Sequence, residues 1–291
     1  MAHRRFHGFV TVAALALGIL TSGPHAQATL PRAAHVLVIG IDGLGGAQLA
    51  RRHTDAIARL MREGASTLHA RAVLPTESGP NWTAMLSGAP PESPGGPAPT
   101  IFDETRAQMP SAVIGVFYEW AGFAQLVDRR PADVFEHGSS AEDTVNRAAA
   151  FLRDRKPTLT FVHLDLVDHA GHRSGWRSAR YRKAVQTADT LVGRLLAAVN
   201  ESGEEDDTMV LLSADHGGRK KDHGGATPRE IEIPWIVKGP GIAPGVTLKS
   251  DVSTCDTAAT VASALGLSLP ARWTGRPVSE ALAGGQTHSI P

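Results

Sequence analysis

Six acidic and imidazole side chains in this chain have the types and spacing of metal ligands. Asp42 closes an apolar run from His35 to Ile41. Asp168 and His172 stand in Asp168-His169-Ala170-Gly171-His172, just after a second apolar run from Thr158 to Leu166. Asp215 and His216 end a third run, Thr208 to Ala214, and His223 follows in Asp222-His223-Gly224-Gly225. Carboxylate oxygen and imidazole nitrogen are good zinc ligands, with bonds of about 2.0–2.2 Å. One Asp at a strand end is more often a helix cap, and one Asp-His-Gly can be an ordinary turn. Four such clusters, three of them behind separate apolar runs, call for a common cause. Three Asp and three His divide naturally between two metal ions. Two ions about 3.5–4 Å apart form the clamp used in phosphoryl transfer.

Such a clamp needs a nucleophile between the ions. Ser78 in Pro75-Thr76-Glu77-Ser78-Gly79-Pro80-Asn81-Trp82 is the candidate. It follows a strand signal and precedes a short helix expected over Asn81 to Leu86, whose N-terminal N–H groups favour phosphate. Bound to a metal, its hydroxyl could ionise near neutral pH without a general base. The competing role for Ser78 is a plain cap on that helix.

The elements that must position these groups alternate. Strands are expected at His35–Ile41, Thr67–Val73, Ser111–Tyr118, Thr158–Leu166, Thr208–Ala214 and Ile233–Lys238. Helices are expected at Gln48–Glu63, Ala141–Asp154, Arg177–Asn200 and Asp256–Leu265, with a Pro/Gly loop at Glu92–Pro99. This alternation predicts an α/β fold with a mostly parallel central sheet and helices on both faces. Ligand sites in such sheets lie beyond the carboxyl ends of the strands, where all four clusters fall.

Composition narrows the classes. With 29 Lys+Arg against 29 Asp+Glu among 291 residues, the chain carries no field for a polyanion, and no dedicated nucleic-acid partner is expected. At 42% hydrophobic and 20% charged residues it is not a disordered chain. A single cysteine, Cys255, excludes disulfide scaffolds and Cys-rich zinc modules. Residues 1–28 read as a signal peptide: Arg4 and Arg5, an apolar run from Phe9 to Leu20, then Ala26-Gln27-Ala28. The expectation is a periplasmic or secreted protein with no membrane span after signal removal, and one domain from 29 to 291.

In sum these segments resemble the alkaline-phosphatase superfamily, and within it the type I phosphodiesterase/nucleotide pyrophosphatase branch. That branch has an apolar strand ending in Asp (Val38 to Gly43), a P-T-x-T-x-P-N segment (Pro75 to Asn81, with Ser78 at the nucleophilic Thr), D-x-x-G-H (Asp168 to His172), S-x-D-H-G (Ser213 to Gly217) and a late H-G (His223-Gly224). All five occur in order, and the tail from Ile233 to Pro277 also looks family-like. The resemblance implies an alkaline-phosphatase-like fold with a small cap and two Zn²⁺ sites, which Mn²⁺ or Fe also suits. Asp168, His172 and His223 would hold one ion. Asp42, Asp215 and His216 would hold the other, with Ser78 facing both. Asn81 and the Gly79 N–H would bind a phosphate oxygen like an oxyanion hole.

The implied activity is hydrolysis of a small phosphoester through a phosphoseryl intermediate. Gly79 stands where nucleotide-cleaving members often carry an aromatic residue, and Trp82 stands in place of their His. A phosphodiester is favoured over a monoester because the segment around Ser78 offers the neutral Asn81 and no Arg. Arg219, Lys220 and Lys221, between His216 and His223, could supply positive charge to a monoester instead. A sulfatase would place Arg where Trp82 stands. A phosphoglycerate-mutase-like role fits poorly with an export signal, and a non-catalytic module fits poorly with six intact ligands. His163 and Asp165 are expected to be satisfied interior groups, and Tyr118, Glu119 and Trp120 to rim the pocket.

Overall fold

The computed structural model of the protein describes residues 32–50, 53–94 and 96–282, together with Met1. The expected signal peptide at 1–28 lies, Met1 aside, outside the described residues. Eight strands form one sheet: β1 (His35–Ile41), β2 (Ala65–Arg71), β3 (Ile114–Tyr118), β4 (Val134–His137), β5 (Leu159–Leu164), β6 (Thr208–Ser213), β7 (Glu232–Lys238) and β8 (Val246–Thr247). Their order is β4-β3-β5-β1-β6-β7-β2-β8. The pairings are parallel except those of β7, which runs antiparallel to both β6 and β2. The expected α/β architecture is the observed one, matched by solved structures described below.

β1 is central, and after half-buried His35 it is buried from Val36 to Ile41, with both faces covered. Its register decides the site. Ile41 pairs with Leu164 of β5, and Gly40 pairs with Ser213 of β6. The three strands therefore end level, and the segments after Ile41, Leu164 and Ser213 emerge side by side.

Helices α2 (Asp55–Glu63), α5 (Ala141–Arg155), α6 (Leu166–Ser174) and α7 (Ala179–Glu201) pack together, while α3 (Ser78–Ser87), α4 (Ile101–Gln108) and α9 (Asp256–Leu265) form a second group. The single helix expected over Gln48–Glu63 is instead two, α1 (Gly46–Leu49) and α2. Thr54 is extended at the start of α2. Asp189 of α7 accepts the Ile57 and Ala56 N–H groups at 2.9 and 3.4 Å, so tertiary contact caps the new helix. Helix α3 begins three residues earlier than expected, which puts Ser78 in its first turn. Helix α4 and strand β4 carry too few apolar residues to stand out in the sequence. Residues 119–133, with one 3₁₀ turn at Ala121–Gln125, join β3 to β4 beside the site. The remaining short helix, α8 (Pro228–Ile231), leads into β7. Among the described residues no helix is long and apolar enough to cross a membrane.

Candidate metal centre and nucleophile

Asp42 is fully buried where β1 ends. Its Oδ2 accepts from Trp82 Nε1 at 3.0 Å and from His163 Nε2 at 3.2 Å. Those bonds leave Oδ1 facing Ser78 Oγ and His216 Nε2, each at 3.4 Å. Trp82 fits so close to β1 that a Cβ at Gly40 would lie 2.5 Å from its ring. The next turn depends on Gly43, at φ +70, where a Cβ would come within 2.9 Å of Asp168. The Gly43 N–H donates to Asp215 Oδ1 at 3.1 Å, and its carbonyl accepts from Trp176 Nε1 and Tyr181 OH at 2.9 Å each.

The three histidines share a tautomer. Nδ1 of His172 lies 3.0 Å from the Lys221 carbonyl, that of His216 2.8 Å from the Gly217 carbonyl, and that of His223 2.7 Å from the Thr76 carbonyl. A carbonyl only accepts, so each Nδ1 carries hydrogen and donates it. In the neutral imidazole each Nε2 is then a lone pair. The Nε2 atoms of His172 and His223 stand 3.0 Å apart. Two lone pairs at that distance repel unless a cation draws both. Asp168 joins them, with Oδ2 at 3.4 Å from His172 Nε2 and Oδ1 at 3.8 Å from His223 Nε2.

One atom each from Asp168, His172 and His223 lies within 4.8 Å of the others, and the same holds for Asp42, Asp168 and His216. The His216 and His223 rings stack at 3.8 Å and bring the two groups together. Asp215 adds Oδ2 at 3.2 Å from His216 Nε2. Among the described residues, Asp168 Oδ1 and Asp215 Oδ2 are buried without a hydrogen-bond partner. Lone pairs facing one another and carboxylate oxygens without donors fit a divalent cation.

The electrostatics agree. Burial, then the charge of Asp42, pushes the Asp168 carboxyl up to about 9. The same two causes raise Asp215 well above the ordinary carboxylate range. Burial lowers His216 to about 4. Burial acts to raise Asp42 as well, but the His163 hydrogen bond and the nearby imidazoles hold it at about 2. With protein groups alone, this cluster binds protons on Asp168 and Asp215 that a metal would displace.

Ser78 Oγ lies 3.1 Å from His216 Nε2 and can donate to it. A Cβ at Gly79 would meet only Leu126, at 3.9 Å, so the space beside Ser78 is open. The Gly79 N–H belongs to the first turn of α3, where helix geometry supplies no intrahelical acceptor. Asn81 departs from expectation. It is fully buried, its Oδ1 accepts the Val73 N–H at 2.7 Å, and its Nδ2 donates toward the carbonyls of Val73, Pro75 and Glu77 at 3.0–3.1 Å. Its amide is thus committed to shaping residues 73–77, and it has no donor left for a phosphate oxygen.

Other expectations fall out plainly. His163 is buried against Asp42 as expected, with its Nδ1 left without a hydrogen-bond partner among the described residues, and His169 is exposed. Glu119 accepts from the Asp165 and Leu166 N–H groups at 2.6 and 3.1 Å and so caps α6 rather than standing free at a rim. Arg219 and Lys220 line a cavity that shares the Trp176 indole with His172 and His223. The Trp82 bond to Asp42 went unread because the sequence showed Trp82 only as a departure from the family's pattern.

The family model for type I phosphodiesterase / nucleotide pyrophosphatase matches residues 36–116 and 95–225, which include all six ligand candidates and Ser78. The chain belongs to this family. Within it, the type I phosphodiesterase relative here is similar to murine ectonucleotide pyrophosphatase / phosphodiesterase 5, solved as an inactive variant in complex with AMP. The identity is 14%, the TM-score 0.72, and the match covers 86% of this chain and 100% of that one. Phosphonate monoester hydrolase from Silicibacter pomeroyi matches at 15% identity and TM-score 0.68, over 89% of this chain and 78% of that one. Among curated proteins, steryl-sulfatase of Rattus norvegicus is 28% identical over 229 residues, 65% of this chain but 39% of the rat protein. The 2,3-bisphosphoglycerate-independent phosphoglycerate mutase of Synechococcus elongatus is 30% identical over 136 residues, 43% of this chain and 24% of that enzyme. The chain thus spans well under half the length of these curated relatives.

Proposed function

We propose that this type I phosphodiesterase relative hydrolyses a small phosphoester, a diester in preference to a monoester, with Ser78 as nucleophile and two divalent cations, zinc by the donor set. The observation that carries the reading is the place of Ser78. Its hydroxyl sits in the first turn of α3, 3.1 Å from His216 Nε2 and 3.4 Å from Asp42 Oδ1, at the mouth of the convergent carboxylates and imidazoles.

The residues present would hold the ions as Asp168, His172 and His223 on one side and Asp42, Asp215 and His216 on the other, with Asp168 near enough to touch both groups. Divalent ions bound there supply charge neutralisation for the attacking and leaving oxygens. The chain's own groups do the rest. Ser78 Oγ, beside His216 and Asp42, gives up its proton to solvent. Ser78 Oγ forms a bond to phosphorus as the bond to the leaving alcohol breaks, and water then cleaves the phosphoseryl ester to restore the hydroxyl. The first-turn N–H of Gly79 points its dipole at the developing charge. Trp82 and His163 hold Asp42 in place from behind.

The open space at Gly79 supports a second ester substituent and hence a diester. So does the location of Arg219 and Lys220 around another cavity, since a doubly charged monoester asks for cations beside the phosphoryl oxygens. The test is the ratio of kcat/KM on matched nitrophenyl diester and monoester, with a nitrophenyl sulfate alongside and metal content measured on the same sample. A diester-to-monoester ratio above one, lost in Ser78→Ala, is expected. A ratio well below one makes the protein a monoesterase, and turnover of the sulfate alone makes it a sulfatase. Export of the mature chain, proposed from residues 1–28, is checked by the mass of the protein recovered outside the cytoplasm.

A further inference from the structure

A cavity of about 280 Å³ is lined by Arg177, Arg182, Arg219, Lys220 and Arg229 against Trp176, and no carboxylate lines it. Other cations of the fold, such as Arg106, Arg147, Arg194 and Lys238, each hold an acidic partner. Among the described residues, none of the five cations at the cavity is in an ion pair with a carboxylate. Five like charges gathered around one hollow, in a chain whose formal net charge is zero, repel one another and focus a positive potential into it.

Two of the segments that carry the cations are also braced. Arg219 and Asp222 exchange backbone hydrogen bonds at 2.9 and 3.1 Å, which closes a tight hairpin with Lys220 at its tip. Arg182 donates to the Arg177 carbonyl at 2.9 Å. Trp176 is fully buried, tied by its indole N–H to Gly43, and gives the cavity a rigid wall. α7, a 23-residue helix that begins between Arg177 and Arg182, carries no acidic residue in its first turn, and its N-terminal dipole adds to the positive field there. Four of the five cations are arginines, whose planar forks suit paired oxygens better than a lysine ammonium does.

We propose that this cavity is an oxoanion site, built for a phosphate or sulfate group and separate from the metal ligands. The group has two sources of the same chemistry: a free inorganic anion, or a second anionic group on the substrate whose ester lies at Ser78. The site stands whether or not the diester reading holds, because binding is measured without turnover.

The experiment titrates inorganic pyrophosphate, and separately sulfate, calorimetrically into the metal-loaded full chain at low ionic strength, where such a site is least screened. Wild type is compared with R182A/R229A, and with R153A/R194A as a control that removes equal charge elsewhere. Affinity is expected to fall tenfold or more in R182A/R229A and to stay within twofold in the control. With a free anion as the occupant, turnover of a plain nitrophenyl ester and of one bearing an additional phosphate both remain at wild-type rates in R182A/R229A. With the substrate as the source, kcat/KM falls tenfold only for the ester bearing the additional phosphate. Unchanged affinity for both anions in R182A/R229A, or an equal loss in the control, overturns the proposal.

Discussion

Two regions of this molecule gather charge of one sign, and they do so at different stakes. At the carboxyl edge of β1, β5 and β6, Asp42, Asp168 and Asp215 are buried, and two of their oxygens lack donors. Beyond Trp176, Arg177, Arg182, Arg219, Lys220 and Arg229 are exposed. Water solvates the exposed cations, so leaving them unpaired costs the fold little. Water does not reach the carboxylates, so leaving them unpaired costs much more. Burial, more than the number of like charges, marks the first region as a place that must be filled for the fold to be at ease. The second region can stand empty and is marked by its shape.

The largest effects should therefore come from the buried region. Ser78→Ala is expected to lower kcat by about 10³-fold or more while metal stays bound, the order lost when a covalent nucleophile is removed. Asp168→Ala, which takes a carboxylate from both ligand groups, is expected to lose at least one equivalent of metal together with activity. Metal analysis beside kinetics separates the two variants, and metal loss in Ser78→Ala would blur the line between nucleophile and ligand.

An intermediate effect is expected behind the ligands. Trp82→Phe keeps the ring but removes the N–H that donates to Asp42 Oδ2. It should weaken metal binding or activity by about 10–100-fold, the usual loss when a ligand's hydrogen-bond partner is deleted. Asn81→Ala should act on stability instead. Leaving the Val73 N–H and neighbouring carbonyls unpaired is expected to cost about 2–4 kcal/mol, read from denaturant unfolding. A wild-type unfolding midpoint would mean that the Asn81 amide does not hold residues 73–77.

A smaller effect concerns pH in chelated protein. Asp168 and Asp215 have raised carboxyl values in the fold, so they favour the native state when protonated and lose that contribution as pH rises. His216, lowered to about 4, works in the opposite direction only up to its ordinary value near 6.5. From about pH 6.5 to 9 the carboxylates act alone, and Tm of the metal-free chain should fall across that window by about 2–4 °C per kcal/mol lost. Metal-loaded protein should not show this fall, because the cation takes the place of the protons. A metal-free Tm that rises with pH would mean the carboxylates are not strained. Smallest of all, Arg229→Ala should change stability by no more than about 0.5 kcal/mol, and a larger loss would show that the cationic rim is structural.

The same contrast governs what could be read in advance. Asp42, Asp168, His172, Asp215 and His216 were legible because they follow apolar runs long enough to be central strands, and the register of β1 brings the three ends level; His223 was legible only from its Asp-His-Gly-Gly segment. The strands β1, β5 and β6 were legible for the same reason. Asn81 was misread because the segment shows an amide before a helix without showing which way it turns. The cationic cavity was illegible because its arginines come from the start of α7, the hairpin after His216 and the turn before β7, which only the folded chain unites. Helix α2 begins at Asp55 because Asp189, far along the chain, caps it, and no local pattern records that contact.

Thr76 has a consequence for the order in which the protein forms. Its hydroxyl donates to the Gly225 carbonyl at 2.7 Å and accepts the Gly224 N–H at 3.0 Å, and its carbonyl accepts from His223. These bonds join segments 147 to 149 residues apart, with β3, β4, β5 and β6 lying between them in the chain. Contacts of such long range carry a large loop-closure entropy and form late unless intervening structure has already shortened the path. The clasp between the Ser78 segment and His223 is therefore expected to close after β1, β5 and β6 have paired. In refolding, secondary structure should return first and catalysis last.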